Sequence, residues 1–299
     1  MTACYSCRES NPQRIVTTSG DAFSARFPAR FEGPPGNVNG GMGAGALACP
    51  ALLTSALDGS QYAAAKRVTA RLRRGVPAEH PLDVNVTRGE GGYGVSFALD
   101  DDELMTGAVE IATFDRAPTP RDALGEPAPE HAATLAEMSR VTVPAGPPFY
   151  EQTGDHPIPN CFSCGPANAD GMQIIPRVVA DGVIASAWQP DASFDDGGGM
   201  LSANIIASAL DCSSGICMPV ADQRELLAND EFFLLGSLDV RYVRVAPLAA
   251  SYRVIGRALR RDGRKFFGLS ALFDDGGVLY ATAEAIWIVA GIKRTDAFG

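Results

Sequence analysis

The chain has 299 residues, a formal net charge of −10, 46% hydrophobic and 20% charged residues, which is enough to bury a large core in two domains or one duplicated unit. The acidic balance argues against nucleic acid as the main partner, while a few clustered arginines still suit a phosphorylated small molecule. With no transmembrane run and no basic-then-apolar leader, neither a membrane span nor a secretory signal is expected, the expected location is the cytoplasm, and the seven cysteines read as reduced thiols.

Taken in chain order, the elements come twice. CYSCRESN at 4–11 recurs as CFSCGPAN at 161–168, with Cys, Ser, Cys and Asn at the same spacing. SARFPARFEGPPGNVNGGMGAGALAC (24–49) runs from an alternating strand through a Gly-rich turn into an apolar helix, as does SAWQPDASFDDGGGMLSANIIASALDC (186–212), which pairs Cys49 with Cys212. VTARLRRGVP (68–77) then matches LDVRYVRVAP (238–247), and VSFALDDDELMTGAVEI (95–111) matches LSALFDDGGVLYATAEA (269–285). The last two are hairpins around acidic turns. Four collinear matches predict two tandem copies of one domain of about 115–140 residues, at 1–116 and 161–299.

Between the copies, the segment 117–160 reads as a linker, because residues 115–160 hold nine of the twenty-one prolines. PEHAATLAEMSR (129–140) inside it predicts a short helix, and the linker has to reach across one domain.

The second copy predicts strands near 172–179 and 183–189, a helix over 203–218, then strands near 237–245, 251–260, 264–274 and 278–289. ANIIASALDCSSGICM has no polar face, which is the pattern of a helix enclosed by other structure. A curled antiparallel sheet around one helix satisfies it. On the Cys-x-x-Cys-Gly-x-x-Asn opening, the Gly-rich turn, the apolar helix with its acid and the closing Arg-Lys hairpin, the chain resembles a double hotdog of the acyl-CoA thioesterase (PaaI-like) type. That resemblance implies an α+β fold, each copy a curled antiparallel sheet wrapped around a long apolar helix.

In the thioesterases it resembles, a His-Gly-Gly turn starts the central helix, and an Asp or Glu eight residues after the first glycine serves the partner's turn. Here Gly40 plus eight is Ala48, whereas Ala203 plus eight is Asp211. The first copy keeps the glycines and the second keeps the acid, so the expectation is one composite site in which Gly40 faces Asp211. The Gly40 or Gly41 N–H and the helix dipole would stabilise a thioester oxyanion, and Asp211 would attack the carbonyl carbon or activate water. Asn39 stands where the family usually has His; it could bond the carbonyl or the water but cannot take a proton. The mirror site, Ser202 and Ala203 facing Ala48, is expected to be inert.

Each feature has a plainer alternative. Asp211 could be a structural residue bonded to backbone or to Ser213 and Ser214; NGGMG could be only a tight loop and close helix packing. No metal and no cofactor are assigned, although Cys4, Cys7, Cys161 and Cys164 together would make a four-thiolate zinc site, and Cys49 and Cys212 read as small apolar packing groups. The hairpin residues Arg260, Arg261, Arg264 and Lys265 are either a solvated turn or contacts for the phosphates of a coenzyme A or carrier-protein arm. The expected partner is an acyl-CoA or acyl-carrier-protein thioester, with no nucleic acid, no membrane and room for further homo-oligomerisation. Non-catalytic acyl-thioester binding is the rival function, and a hotdog dehydratase or hydratase a weaker one, because His80, His131 and His156 lie away from the helix start.

Overall fold

The computed structural model describes residues 7, 9–20, 22–57, 59, 62–120, 122–153 and 156–291. The first half forms β1 (Val16–Ser19) and β2 (Ala22–Ala25), helices α1 (Gly40–Ala46) and α2 (Ala48–Leu57), then β3 (Tyr62–Leu72), β4 (Leu82–Gly89), β5 (Gly92–Leu99) and β6 (Asp102–Phe114). Two short helices follow, α3 (Ala132–Met138) and α4 (Phe149–Thr153). The second half repeats the plan with β7 (Arg177–Ala180), β8 (Val183–Trp188), α5 (Ala203–Ile216), α6 (Val220–Ala228), β9 (Phe233–Tyr242), β10 (Tyr252–Asp262), β11 (Lys265–Asp274) and β12 (Leu279–Val289).

All twelve strands join one antiparallel sheet in the order β1-β2-β4-β5-β6-β3-β9-β12-β11-β10-β8-β7. Read from either end, this order meets equivalent strands of the two repeats. At its centre Thr69 of β3 pairs with Asp239 of β9, and the two occupy the same position of the matching segments 68–77 and 238–247. A pseudo-twofold axis therefore passes through that pair. Arg67 ties the junction, donating from Nε and Nη2 to the two carboxylate oxygens of Asp239 at 2.9 and 2.7 Å, the bidentate geometry in which an arginine–carboxylate pair is strongest. The loops obey the same symmetry: the bridges Glu32 to Val38 and Asn37 to Pro77 recur as Asp195 to Leu201 and Met200 to Pro247.

The enclosed helix behaves as its composition requires. α5 packs against β8 to β12, and every residue from Asn204 to Gly215 is buried. Its counterpart differs from expectation, because it breaks at Leu47 into α1 and α2. Pro50 has no N–H to return to Ala46, and the Leu47 N–H bonds instead to the Ala44 carbonyl at 3.2 Å, as in a tighter turn. Taken together, Gly40–Leu57 is long and apolar enough by composition to cross a membrane, but 72% of it is buried inside the fold. The mixed-charge helix α6 is an element the sequence reading did not anticipate.

The Pro-rich segment is more structured than a bare linker. Leu135 and Met138 of α3 pack on the outer face of the second half's sheet, against Val183, Ala185, Ile255, Leu269 and Phe273. Polar straps hold it there: His131 Nε2 lies 3.0 Å from Glu284, and the Arg253 guanidinium donates to the carbonyls of Ser139 and Val141. With α5 on one face and α3 on the other, β8 and β11 are buried on both sides, which accounts for the near-continuous apolar run FFGLSALF at 266–273.

Candidate functional site

Asn39 caps α1, its Oδ1 accepting the Met42 N–H at 2.9 Å, the role for which Asn is favoured at a helix start. One turn on, Gly41 and Gly45 bring α1 against α5. A Cβ at Gly41 would stand 2.6 Å from the Asp211 Cβ, and one at Gly45 would overlap the Asn204 Cα. That approach puts Asp211 Oδ2 2.8 Å from the Gly41 nitrogen, which donates to it. The other carboxylate oxygen, Oδ1, is buried and has no hydrogen-bond partner among the described residues.

Asp211 is 2% exposed. Burial pushes its pKa up to about 7, and the Cys161 thiol adds to the rise, while the Gly41 N–H and the Asn39 side-chain amide oppose it. The neighbouring serine does not hold the carboxylate: Ser214 Oγ donates to the Asp211 main-chain carbonyl at 2.6 Å and accepts from Trp287 Nε1 at 3.0 Å. Gly40, first in α1, has no acceptor for its N–H within its own helix. Leu235 of β9 closes over it, its Cδ2 lying 2.7 Å from where a Gly40 Cβ would be. Asn39 Oδ1 is used by the cap, and its Nδ2 lies 3.8 and 3.9 Å from the Cys161 and Cys212 sulfurs.

The mirror site differs in a way the repeat alignment did not reveal. Ser202, Ala203 and Ala48 border a cavity of about 130 Å³ that Ala63 and Ala65 of β3 also line. The corresponding β9 residues are Phe233 and Leu235. Larger side chains fill the acid-bearing site, and alanines leave the acid-free one open. One carboxylate does line the mirror cavity, Asp196, but its Oδ1 accepts the Gly198 and Met200 amides at 2.7 and 3.2 Å.

Three of the four hairpin cations are engaged within the protein. Arg260 stacks on Phe267 at 3.4 Å, Arg261 pairs with Asp222 at 3.4 Å, and Arg264 donates twice to the Val289 carbonyl. Lys265 is exposed at the start of β11. The histidines meet other partners than Asp211: His80 turns to the Ala78 carbonyl, His131 to Glu284 and His156 to Cys164.

Two features escaped the sequence reading. Phe162, of the second CxxC turn, inserts between Phe31 and Phe194 with centroid distances of 5.0 and 5.9 Å, and Arg30 lies over all three rings. Phe31 and Phe194 hold equivalent positions in the repeats, so an aromatic at both was the available signal. The other is the thiol arrangement. Cys161 and Cys164 gather with Cys212, which was expected only to pack, whereas Cys7 is outside that group and Cys4 lies outside the described residues.

No protein-family model matches the chain, and no curated protein matches it. Solved structures do match. The tesB protein of Mycobacterium avium subsp. paratuberculosis is similar over 92% of this chain and 96% of that one, with a TM-score of 0.56 and 15% identity. A conserved protein with a hot dog fold from Alicyclobacillus acidocaldarius is similar over 93% and 96%, with a TM-score of 0.56 and 13% identity. The chain is a double hotdog. An acyl-CoA thioesterase II from Mycobacterium marinum shares this double hotdog fold over 92% of this chain and 95% of that one, with a TM-score of 0.53 and 11% identity.

Proposed function

We propose that this double hotdog hydrolyses an acyl-CoA or acyl-carrier thioester at one composite site, the first copy supplying helix-start amides and the second supplying Asp211. The observation that carries the reading is the state of the carboxylate: Oδ2 is anchored by the Gly41 N–H and Oδ1 is left without a partner. An anchored carboxylate with one unused oxygen is a positioned base. In this reading Asp211 Oδ1 takes a proton from water, the resulting hydroxide adds to the thioester carbonyl carbon, and the Gly40 N–H at the positive end of α1 holds the oxyanion. Collapse breaks the C–S bond, and the leaving thiolate recovers the proton from Asp211. Leu235 has to swing aside for the carbonyl to reach Gly40.

An acyl-CoA thioesterase II shares the fold, which supports the reaction class. Substrate contacts from the hairpin fall mainly to Lys265, because Arg260, Arg261 and Arg264 must first leave the partners described above. The division into copies at 1–116 and 161–299 joined by 117–160 belongs to the same proposal.

A second reading, non-catalytic binding of an acyl group, has its own observation in the apolar mirror cavity beside Ser202. A panel of short, long and aromatic acyl-CoAs, followed by detection of free thiol, separates the two. Thiol release from any member supports hydrolysis; binding of the panel with no thiol release from any member removes it.

A further inference from the structure

The cysteines that the hydrolytic reading leaves unused form a cluster of their own. The sulfurs of Cys161, Cys164 and Cys212 all lie within 4.8 Å of one another, and those of Cys161 and Cys212 are 3.5 Å apart. A tetrahedral zinc with Zn–S bonds of about 2.3 Å holds its sulfurs about 3.8 Å apart, so the three already stand near the corners of such a site.

The turn that carries two of them is built tightly. Gly165 donates its N–H to the Cys161 carbonyl at 2.8 Å, and a Cβ at that position would overlap the Cys161 nitrogen and the Pro159 carbonyl. Tyr150 Oη donates to the Cys164 carbonyl at 2.9 Å, and its ring lies against His156 with centroids 3.9 Å apart and planes tilted by 54°. Phe162, between the two cysteines, is pinned by Phe31 and Phe194. Both sulfurs are therefore held on one side of a rigid turn, and α5 supplies the third.

A buried donor faces the cluster. The Asn39 side-chain amide faces the Cys161 and Cys212 sulfurs at 3.8 and 3.9 Å. Neutral thiols are weak acceptors, so a buried amide donor shared between two buried sulfurs suits thiolates, and buried thiolates need a cation. His156 lies beside Cys164, its Nε2 3.5 Å from that sulfur, but outside the set whose ligand atoms all lie within 4.8 Å of one another, so its ring has to move inward to complete a tetrahedron. Its Nδ1 now accepts the Ile158 N–H at 2.9 Å, so ligation through Nε2 requires that bond to open as Nδ1 takes the proton.

We infer that Cys161, Cys164 and Cys212 bind one zinc ion as thiolates, with His156 moving in from beside Cys164 as the fourth ligand. The ion would fasten the end of the Pro-rich segment to α5 at the residue after Asp211. This site is independent of whether the chain hydrolyses thioesters. It also differs from the four-cysteine set suggested by the paired CxxC motifs, because Cys212 comes from the helix.

The test measures metal directly. Full-length protein dialysed against zinc under reducing conditions and freed of loose metal should retain one zinc per chain by elemental analysis. Cobalt titration of metal-free wild type should give the visible bands of a tetrahedral centre together with near-ultraviolet thiolate-to-cobalt bands, a readout that needs no variant. Cys212→Ser should lose the metal, while Cys49→Ser, altered at the equivalent position of the first copy, should keep it. His156→Ala should bind cobalt more weakly and with altered bands. Wild type without zinc or a thiolate–cobalt spectrum would overturn the site. So would metal retained in full by Cys212→Ser, an unchanged spectrum in His156→Ala, or a native mass two hydrogens light from a Cys161–Cys212 disulfide.

Discussion

Asp211 and Gly41 belong to different copies of the repeat, 170 residues apart, and meet across two helices through a 2.8 Å hydrogen bond. Neither copy carries both parts. The glycines that let α5 approach α1 lie only in the first, and at the acid position the first has Ala48. The two helix starts therefore differ in sequence, and the contact depends on helix spacing as much as on the two residues themselves.

That dependence predicts the outcome of Gly45→Ala. The added methyl collides with the Asn204 backbone rather than with a side chain that could turn away, so the helices must separate. Overpacking of this kind costs about 1–3 kcal/mol, read as a lowered midpoint in denaturant. Because the separation also lengthens the Asp211–Gly41 bond, any thioester hydrolysis should fall further than the loss of folded protein accounts for.

Filling the mirror cavity separates the two functional readings. Ala65→Leu gives β3 the residue that β9 carries at position 235 and occupies the space beside Ala48 and Ala203. Under the hydrolytic account thiol release is unchanged, since the Asp211 side is untouched. Under the binding account the acyl ligand is lost, as measured by calorimetry with a non-hydrolysable acyl-CoA analogue.

The sequence exposes the duplication, the enclosed helix and the meeting of the α1 start with Asp211, because each rests on a local pattern or on equivalent positions in a repeat; it pairs Gly40 with the acid, whereas the N–H that bonds it is that of Gly41. The strand order is not read from the sequence; the structure shows it, with Thr69 and Asp239 meeting at the axis. What the sequence conceals depends on side-chain volume and tertiary company. The repeat alignment separates the two sites by their acid and glycines but not by volume, where Leu235 occupies what Ala65 leaves open. The CxxC turn reads as half of a symmetric four-cysteine set, yet Cys161 and Cys164 turn to Cys212 on the helix. The break at Leu47 was visible in Pro50, but the strong apolar pattern on both sides of it concealed the interruption.

The most direct measurement is the comparison of thiol release and ligand affinity in wild type and Asp211→Asn. Asparagine keeps the shape and can still accept the Gly41 N–H, but it cannot take a proton. The account predicts that turnover falls by about a hundredfold or more while the affinity for the acyl thioester is retained. An Asp211→Asn variant that releases thiol at the wild-type rate would contradict it.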